Sequence, residues 1–187
     1  MPERILTVFG GSAPQAGSEA YVQAERLGSL AARAGWGVAT GGYIGTMEAV
    51  SKGASEAGGH AIGVTCDQIE HWRAIAPNQW VGEEIRRATL RERLYKLVEL
   101  GDAYIALPGG IGTLSEVALS WSLIQTREIG PRPLVLVGDT WTSTLELFLE
   151  RAEGYVRPLD RELIQFAPDV DNAWRQVLRT VDRAGGT

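Results

Sequence analysis

The sequence predicts an α/β fold in which helices cover both faces of a parallel β-sheet. Short apolar segments rich in β-branched residues alternate along the chain with longer segments whose apolar side chains recur three and four residues apart. Strands that alternate with helices are joined by right-handed crossovers, which give a parallel sheet buried on both faces. Glycine pairs follow three of the apolar segments, at 10–11, 41–42 and 109–110. Together these features predict three layers with the sheet in the middle.

The first half of the chain alternates regularly between predicted strands and helices. Residues 5–9 form a β-rich apolar run that ends in glycine, which predicts a strand and a turn. Residues 18–34 carry apolar side chains at helical spacing, with Ser18 as a suitable first residue and Gly35 as a suitable stop. The same signals predict a strand at 37–40, a helix at 45–57 and a strand at 60–65.

The pattern changes after the third predicted strand. Residues 66–82 contain Pro77 and Asn78 and lack clean periodicity, which predicts an irregular segment with at most a short helical piece. Residues 83–101 are rich in charge and carry an apolar stripe, which predicts one long helix. The remaining predicted elements are a strand at 103–107, a helix from 112 to 126, a strand at 134–137, a helix at 142–153, a strand at 162–166 and a helix at 171–183.

The length and composition indicate one globular domain. The chain has 187 residues, of which 44% are hydrophobic and 22% are charged, values that are ordinary for a folded protein with a sizeable core. We expect a single domain over 1–184 followed by a frayed tail at 185–187. Eighteen basic and 23 acidic side chains leave a net charge of −5, which argues against broad binding to nucleic acid or to an anionic membrane.

Cysteine content and hydropathy predict a cytoplasmic protein. Cys66 is the single cysteine, so no internal disulfide can form, as is typical of a reducing compartment. The apolar run at 5–9 is too short and wrongly flanked for a signal peptide. No apolar run approaches the roughly 20 residues that a membrane helix needs.

The scarcity of histidine and cysteine excludes several kinds of chemistry. His60 and His71 are the two histidines and do not lie at ligand spacing, so with one cysteine they assemble no His/Cys metal cluster. A nucleophile activated by histidine would have to use one of these two, and neither lies in a recognisable nucleophile context. We therefore expect no metal site built from histidine and cysteine.

The glycine pairs predict a ligand site at one edge of the sheet. Ligands of parallel sheets bind outside the carboxyl ends of the strands, where the strand order reverses. The segment 108–116, Pro-Gly-Gly-Ile-Gly-Thr-Leu-Ser-Glu, follows a predicted strand and opens a helix. Glycines let the backbone approach a ligand, and a helix N-terminus offers unpaired N–H groups to an anion. The sequence therefore predicts a Rossmann-like domain with a phosphate site in this loop.

Glu116 lies one helical turn beyond this loop. It follows Thr113 by three residues, a rise of about 4.5 Å on the same helix face, and this is roughly the length of a ribose from a phosphate in the loop. The Thr113 hydroxyl could add a further donor. The alternative is a structural strand-to-helix turn, in which the glycines only allow close packing and Glu116 is a solvated acid in the first turn.

Two other glycine loops are weaker candidates. Residues 41–45, Gly-Gly-Tyr-Ile-Gly, lead into a helix but do not form the G-x-G-x-x-G pattern of dinucleotide-binding proteins. They could bind a ligand or form only a tight turn. In the first loop, at 10–12, Ser12 could donate to a phosphate or cap the next helix.

Arginines and aromatic residues add further candidates. The predicted long helix carries Arg86, Arg87, Arg91 and Arg93. Such a run is usually a solvated face stabilised by charge pairs, although an arginine that leans toward the glycine loops would bind a phosphate or sugar in a two-pronged geometry. The spacing alone selects none of them. In the irregular segment, His71, Trp72 and Trp80 could stack on a base or pack in a dimer contact, whereas we expect His60 to be structural.

Two of the glycine loops resemble those of a known family. The segment 108–116 is similar to the PGGxGTxxE signature of the LOG family, the cytokinin riboside 5′-monophosphate phosphoribohydrolases. The segment 41–49 resembles the family's earlier glycine loop with its Met-Glu-Ala continuation. The resemblance spans roughly 5–137, and the nine-residue motif between a strand and a helix is fairly specific to this superfamily.

The resemblance implies a Rossmann-like dimer that hydrolyses the N-glycosidic bond of a nucleoside 5′-monophosphate to the free base and ribose 5-phosphate. It implies a catalytic pair formed by an arginine on the helix before the motif, which corresponds to Arg93, and by the motif's glutamate, Glu116. It also implies that no cofactor and no metal take part. The candidate residues for binding phosphate and ribose are Gly11, Ser12, Gly41, Gly42, Gly109, Gly110, Ile111, Gly112 and Thr113.

The sequence departs from two expectations attached to the family. Members were long labelled lysine decarboxylases, but that chemistry needs a Schiff-base lysine, and neither Lys52 nor Lys96 lies in a cofactor-binding context. The helix of well-known members commonly reads Met-His-x-Arg-Lys, whereas residues 90–94 read Leu-Arg-Glu-Arg-Leu, and the first loop lacks the usual cysteine. These differences keep the arginine and leave the released base undetermined.

Two other functions are compatible with the same residues. Related Rossmann-like proteins include molybdenum-cofactor carriers and nucleotide sensors, which bind a phosphate-bearing ligand without chemistry. The presence of both Arg93 and Glu116 favours the enzyme, because a carrier needs the phosphate loop but not the carboxylate. The third function is that of an oligomeric scaffold with a relict site.

Overall fold

The computed structural model describes residues 2–185, and within this range seven strands form one sheet. The strands are β1 (Ile5–Phe9), β2 (Gly37–Thr40), β3 (Ala61–Cys66), β4 (Glu83–Arg87), β5 (Ala103–Ala106), β6 (Leu134–Val137) and β7 (Ile164–Ala167). The helices of the same range are α1 (Glu19–Arg33), α2 (Thr46–Glu56), α3 (Asp67–Trp72), α4 (Leu90–Leu100), α5 (Ile111–Gln125), α6 (Asp139–Arg151), α7 (Pro158–Arg161) and α8 (Val170–Gly185). The tail expected at 185–187 lies outside the described residues beyond Gly185.

Neighbouring strands of this sheet run parallel in the order β4-β3-β2-β1-β5-β6-β7. The chain adds strands on one side of β1 as far as β4 and then returns through α4 to β5 on the other side. The strand order therefore reverses between β1 and β5. Phe9 of β1 lies beside Ala106 of β5, so the loops after these two strands begin next to each other. The predicted parallel sheet is confirmed.

Apolar side chains divide between the two faces of the sheet. In β5, Ile105 belongs to the core that contains residues of α1, α2 and α8, whereas Tyr104 and Ala106 belong to the core that contains residues of α4, α5 and α6. In β1, Leu6 and Phe9 divide in the same way. Successive side chains of a strand point to opposite faces, so a strand that is apolar throughout can contribute to both cores. The predicted three-layer arrangement is therefore confirmed.

The predicted helix over 83–101 is wrong in its first half. Glu83–Arg87 forms the edge strand β4, and α4 begins only at Leu90. A capping box sets this start, because the Glu92 N–H donates to the Thr89 hydroxyl and the Thr89 N–H donates to the Glu92 carboxylate. Edge strands tolerate and even favour charged residues, so charge did not distinguish strand from helix here. The Thr-x-x-Glu pattern is visible in the sequence and marks the break.

The other predicted elements match the structure to within a few residues. The irregular segment contains the short α3 and continues without regular structure to β4. The helix predicted at 142–153 begins earlier, as α6, and the one-turn α7 is not among the predictions. In the described part of the chain, no helix combines the length and the apolar character that a bilayer crossing requires.

Candidate active site

Three glycine-containing loops meet where the strand order reverses. The Gly11 N–H donates to the Pro108 carbonyl at 3.2 Å, which joins the loop after β1 to the loop after β5. The Thr46 N–H and hydroxyl both donate to the Gly11 carbonyl at 3.0 Å, which joins the loop after β1 to the start of α2. Gly11 therefore links all three candidate loops.

The loop after β5 presents an open helix N-terminus. α5 begins at Ile111, and its N-cap residue, Gly110, makes no side-chain cap hydrogen bond. Gly109, Gly110 and Gly112 are exposed, and Ile111 is 80% exposed. Backbone N–H groups in such a first turn lack intrahelical partners and carry the positive end of the helix dipole. The loop is therefore suited to bind an anion such as a phosphate through its backbone.

Thr113 lies beneath this loop. Its side chain is buried, and a Cβ added to Gly109 would lie 2.2 Å from the Thr113 hydroxyl oxygen. The hydroxyl therefore packs against the Gly109 backbone, and only glycine fits above it. A hydrogen bond from this hydroxyl to a phosphate stays a prediction.

Among the four arginines, Arg93 reaches the glycine loops. It is 6% exposed, and its Nε donates to the Val64 carbonyl of β3 at 2.8 Å. Its guanidinium lies beneath Gly41, where an added Cβ would be 1.8 Å from Arg93 Nη2 and 2.6 Å from the sulfur of Met47. The absence of a side chain at Gly41 therefore makes the room that Arg93 occupies.

The other three arginines lie away from the loops. Arg86 is on the edge strand β4, where its Nε donates to Asp67 at 2.7 Å. The Nη1 of Arg87 donates to the carbonyl of its neighbour Arg86, and Arg91 is exposed on α4. The sequence predicted that Arg86 and Arg87 share a helix with Arg93. This prediction is wrong, because Arg86 and Arg87 lie on the strand β4 and Arg93 lies on α4.

Glu116 of α5 lies next to Arg93 of α4. The two side chains form an ion pair, with 3.7 Å between Arg93 Nη1 and Glu116 Oε1, and Glu116 is 8% exposed. The alternative of a solvated first-turn acid is therefore wrong. Burial raises the pKa of Glu116 to about 7, although the positive charge of Arg93 opposes this rise. The separation exceeds hydrogen-bond length, so this ion pair does not engage the carboxylate in a hydrogen bond.

This arrangement can support chemistry on a bound phosphate ester. A carboxyl group that titrates near neutral pH can act as an acid or a base, and in its ionised form it stabilises positive charge. The arginine next to it is held by a backbone carbonyl and presents a guanidinium group to the carboxylate. Glu116 lies about one helical turn from the open N-terminus of α5.

The remaining predicted residues are placed as follows. Gly41 and Gly42 are buried, and Ser12 is half-buried. Of the two alternatives for Ser12, helix capping is wrong, because Ser18 caps α1 by accepting a hydrogen bond from the Tyr21 N–H at 3.3 Å. Donation from Ser12 to a phosphate stays a prediction.

The aromatic and histidine candidates lie around the irregular segment. His60 pairs with Glu83 of β4 at 2.8 Å, as expected for a structural residue. Trp72 is 73% exposed, and the Arg73 guanidinium carbon lies 4.4 Å from its ring centre. Trp80 is half-buried. Stacking of these tryptophans on a base stays a prediction.

Sequence reasoning missed the side chains that hold Arg93 in place. The Met47 sulfur lies 4.0 Å from Arg93 Nη2, and the Tyr43 ring centre lies 5.7 Å from the guanidinium carbon. The Tyr43 hydroxyl donates to the Cys66 carbonyl at 3.2 Å and accepts from the Cys66 N–H at 2.9 Å. Both residues follow the glycine pair at 41–42, and this position is the one signal in the sequence that could have found them.

Known proteins match most of the chain. The family model described as "Possible lysine decarboxylase" matches residues 47–177. The cytokinin riboside 5′-monophosphate phosphoribohydrolase of Rhodococcoides fascians is 32% identical over 178 residues, which cover 91% of this chain and 87% of that protein. The chain belongs to the LOG family. Another LOG protein, a cytokinin riboside 5′-monophosphate phosphoribohydrolase of Arabidopsis thaliana, is 33% identical over 175 residues, covering 88% of this chain and 77% of its own length.

A solved structure of a protein that is named for cofactor binding has the same architecture. The molybdenum cofactor binding protein of the phototrophic bacterium Rippkaea orientalis matches with a TM-score of 0.75 at 28% identity, over 97% of this chain and 99% of that one. The Rossmann-like fold and the LOG resemblance expected from the glycine loops are therefore confirmed. The chain thus shares its fold with a cofactor-binding protein, whereas its named sequence relatives are hydrolases.

Proposed function

We propose that this LOG-family chain is a phosphoribohydrolase that cleaves the N-glycosidic bond of a nucleoside 5′-monophosphate, giving the free base and ribose 5-phosphate. The buried Arg93–Glu116 pair beneath an open helix N-terminus carries this proposal. Two relatives that are 32% and 33% identical to the chain bear the name of such an activity. A carboxylate buried beside a phosphate site is costly, and catalysis is the use that accounts for it.

The 5′-phosphate would bind to the N–H groups of the loop after β5. Gly11, which Ser12 follows, bonds to this loop, and Gly41 covers Arg93, the partner of Glu116. Binding energy from the phosphate, which does not react, would hold the ribose in place above Glu116. The substrate therefore has to carry a 5′-phosphate, and a nucleoside without one should react poorly.

Glu116 would act on the anomeric carbon. As the bond between C1′ and the base nitrogen breaks, its electron pair leaves with the base, and positive charge develops on C1′ and the ring oxygen. Ionised Glu116 stabilises that charge and accepts a proton from the water whose oxygen bonds to C1′. A proton from solvent neutralises the departing base. All atoms of this step come from the nucleotide and water, so we expect that no cofactor and no metal are needed.

Arg93 would support the same step through its charge. Its guanidinium favours the ionised form of Glu116, which burial disfavours. Because its Nε is bound to the Val64 carbonyl, the side chain is oriented before any substrate arrives. Arg93 can also contact the ribose through Nη1.

Base release from AMP is the direct test of this function. The purified chain is incubated with AMP and other nucleoside monophosphates, with a chelator present, and free base and ribose 5-phosphate are separated by chromatography. We expect equal amounts of both products from at least one monophosphate and little from the corresponding nucleoside. Release of base without ribose 5-phosphate, or no release from any monophosphate, would exclude this activity.

A carrier of a phosphate-bearing cofactor is the second candidate, and the likeness to the molybdenum cofactor binding protein supports it. A carrier requires the anion site but has no use for an ionised Glu116. Tight binding of a pterin or nucleotide that is equal in native chain and Glu116→Gln, with no base release, would favour this candidate. We rank it second because the buried acid would then have no role.

We further propose that a single domain over 1–184 acts as a cytoplasmic homodimer. An apolar groove of about 480 Å³ lies between α5, α6 and the segment before α7, with Phe148 and Tyr155 among its exposed lining residues. Leu114, which follows Thr113 in the loop's helix, continues this face to the phosphate loop. Exposed apolar patches mark interaction sites, and two-fold dimers are the commonest assembly, so a second copy is the proposed occupant.

Light scattering during gel filtration tests this assembly. We expect twice the chain mass for the native protein and a single chain mass for Phe148→Asp. A native chain that elutes as a monomer would leave the groove to a different protein and would contradict the homodimer.

A further inference from the structure

Asn78 lies in the irregular segment between α3 and β4 and bonds to the glycine loop after β2. Its backbone N–H donates to the Gly42 carbonyl at 2.8 Å. Its side-chain Nδ2 donates to the Gly42 carbonyl at 3.0 Å and to the Tyr43 carbonyl at 2.8 Å. Its Oδ1 accepts from the Trp80 N–H at 3.0 Å. One side chain therefore fixes two consecutive carbonyls of the loop and also the turn that carries it.

The anchor for this side chain is itself firm. The Val81 N–H donates to the Asn78 carbonyl at 3.2 Å, and Val81 packs so closely on β3 that a Cβ at Gly63 would lie 2.8 Å from its methyl group. At the other end, the Gly42 N–H donates to the Thr40 hydroxyl at 3.1 Å. The glycine loop is thus held by Thr40 at the end of β2 and by Asn78 in the irregular segment.

The loop that Asn78 holds is the one that covers Arg93. Gly41 precedes Gly42 and sits directly over the guanidinium, at the distances given above. Displacement of the Gly42 carbonyl would move Gly41 and open space above Arg93 Nη2. The guanidinium could then rotate away from Glu116, from which it is already separated by 3.7 Å.

We propose that Asn78 is a positioning residue for the active site, because its three hydrogen bonds to the glycine loop after β2 keep Gly41 over Arg93 and thereby keep Arg93 against Glu116. Asn78 makes no contact with the ion pair itself, so it acts through the loop. The inference rests on the proposed hydrolase function for its catalytic consequence, whereas the structural link stands on the contacts alone.

Asparagine suits this position because it donates and accepts at once. Aspartate has almost the same shape but lacks the two N–H donors, and it would place a carboxylate against two carbonyl oxygens. Alanine would leave both carbonyls without the side-chain donor. These two substitutions therefore break the same contacts in different ways, one with added repulsion and one without.

The first test is steady-state kinetics of Asn78→Asp and Asn78→Ala with AMP. We expect kcat to fall about tenfold while KM changes by less than about threefold, since the phosphate loop on α5 is not altered. Asn172→Ala is the matched control, because Asn172 is the other asparagine of the sequence and its side chain donates to Asp169 at the start of α8. An unchanged kcat, or a rise of KM alone, would overturn the proposal.

The second test does not require activity. The sequence has two methionines, so a chain labelled with ¹³C at the methionine methyl groups gives a resonance for Met47, next to Arg93. We expect this resonance to shift or broaden in both Asn78 variants and to stay in place in Asn172→Ala. A Met47 resonance that is identical in native chain and Asn78→Asp would overturn the link between the loop and Arg93.

Together, the two tests distinguish a failure of the proposed hydrolase function from a failure of the proposed positioning role of Asn78. If the native chain releases no base from any monophosphate, the proposed function fails, and the Met47 resonance still decides whether Asn78 positions the loop. If Asn78→Asp does not give the native circular dichroism spectrum, Asn78→Ala, which removes the same side-chain donor without adding a charge, decides both measurements.

Discussion

The glycine loops after β2 and after β5 look alike in sequence and differ in what their glycines make room for. In the loop after β5, Gly109, Gly110 and Gly112 are exposed at an uncapped helix N-terminus. In the loop after β2, Gly41 and Gly42 are buried, and the space below Gly41 holds the protein's own Arg93. One loop opens its backbone to solvent, and the other closes over a charged side chain.

This difference shows two uses of glycine in a turn between a strand and a helix. Glycine can bring backbone N–H groups close to a ligand, and it can also let the backbone lie directly on a functional side chain. The loop after β5 fits the first use and the loop after β2 fits the second. Direct contact of Gly41 or Gly42 with a phosphate stays a prediction, whereas their covering of Arg93 is a feature of the fold.

Removing the charge of Glu116 tests whether its carboxylate, which lies near both loops, is needed for turnover. We expect Glu116→Gln to lower kcat with AMP by about 10²-fold or more, since a neutral amide cannot stabilise the cationic transition state or accept a proton. KM should change little, because the phosphate loop is intact. Glu146→Gln, at an exposed position on α6, is the matched control and should keep native turnover. Native turnover in Glu116→Gln would remove the carboxylate from the mechanism.

Most of the fold could be predicted from the sequence because its strands and helices have different apolar periods. The buried strands at 5–9 and 134–137 match the predictions residue for residue. The strand at Glu83–Arg87 could not be predicted in this way, because an edge strand with one apolar residue, Ile85, has the charge density of an exposed helix. Its pairing with β3 is a tertiary effect that local composition does not encode.

The candidate site was predictable only in part. The motif at 108–116 singles out Glu116 and the anion loop through local geometry alone, since three residues on a helix make one turn. Arg93 came from the resemblance, because spacing alone selects none of the four arginines and only the folded chain brings one of them under Gly41. Asn78 has no local signal at all, because its partners Gly42 and Tyr43 lie more than 30 residues away.

A side chain at position 41 should disturb the loop that covers Arg93. In Gly41→Ala the new Cβ would overlap Arg93 Nη2, so the guanidinium or the loop has to move. We expect kcat to fall by about 10-fold to 10²-fold and the free energy of unfolding to fall by about 1–3 kcal/mol. Kinetics with AMP and urea unfolding provide the two readouts. Native kcat would mean that the position of Arg93 does not matter to catalysis.

The pH dependence of turnover should sharpen the comparison by reporting on the ionisation of the buried acid. Because the pKa of Glu116 is raised to about 7, its ionised fraction grows with pH, and we expect kcat to rise about tenfold between about pH 6 and pH 8. The raised pKa stabilises the folded state at acid pH, and this stabilisation is lost as pH rises through 7. Glu116→Gln should therefore gain stability relative to the native chain as pH rises. A flat profile of both quantities would contradict the assigned titration.

The smallest effect is expected in the loop after β5, where a glycine-to-alanine substitution meets no protein atom. A Cβ at Gly110 has no neighbour within 4 Å, and its φ of −97° is accessible to alanine. We expect Gly110→Ala to change the free energy of unfolding by less than about 0.5 kcal/mol and to leave kcat unchanged. KM for AMP should rise about threefold or more, because the new methyl group occupies space that a phosphate would enter. If KM also stays native, the phosphate does not approach this turn, and the open helix N-terminus would lose its assigned role while the Arg93–Glu116 pair would keep its own.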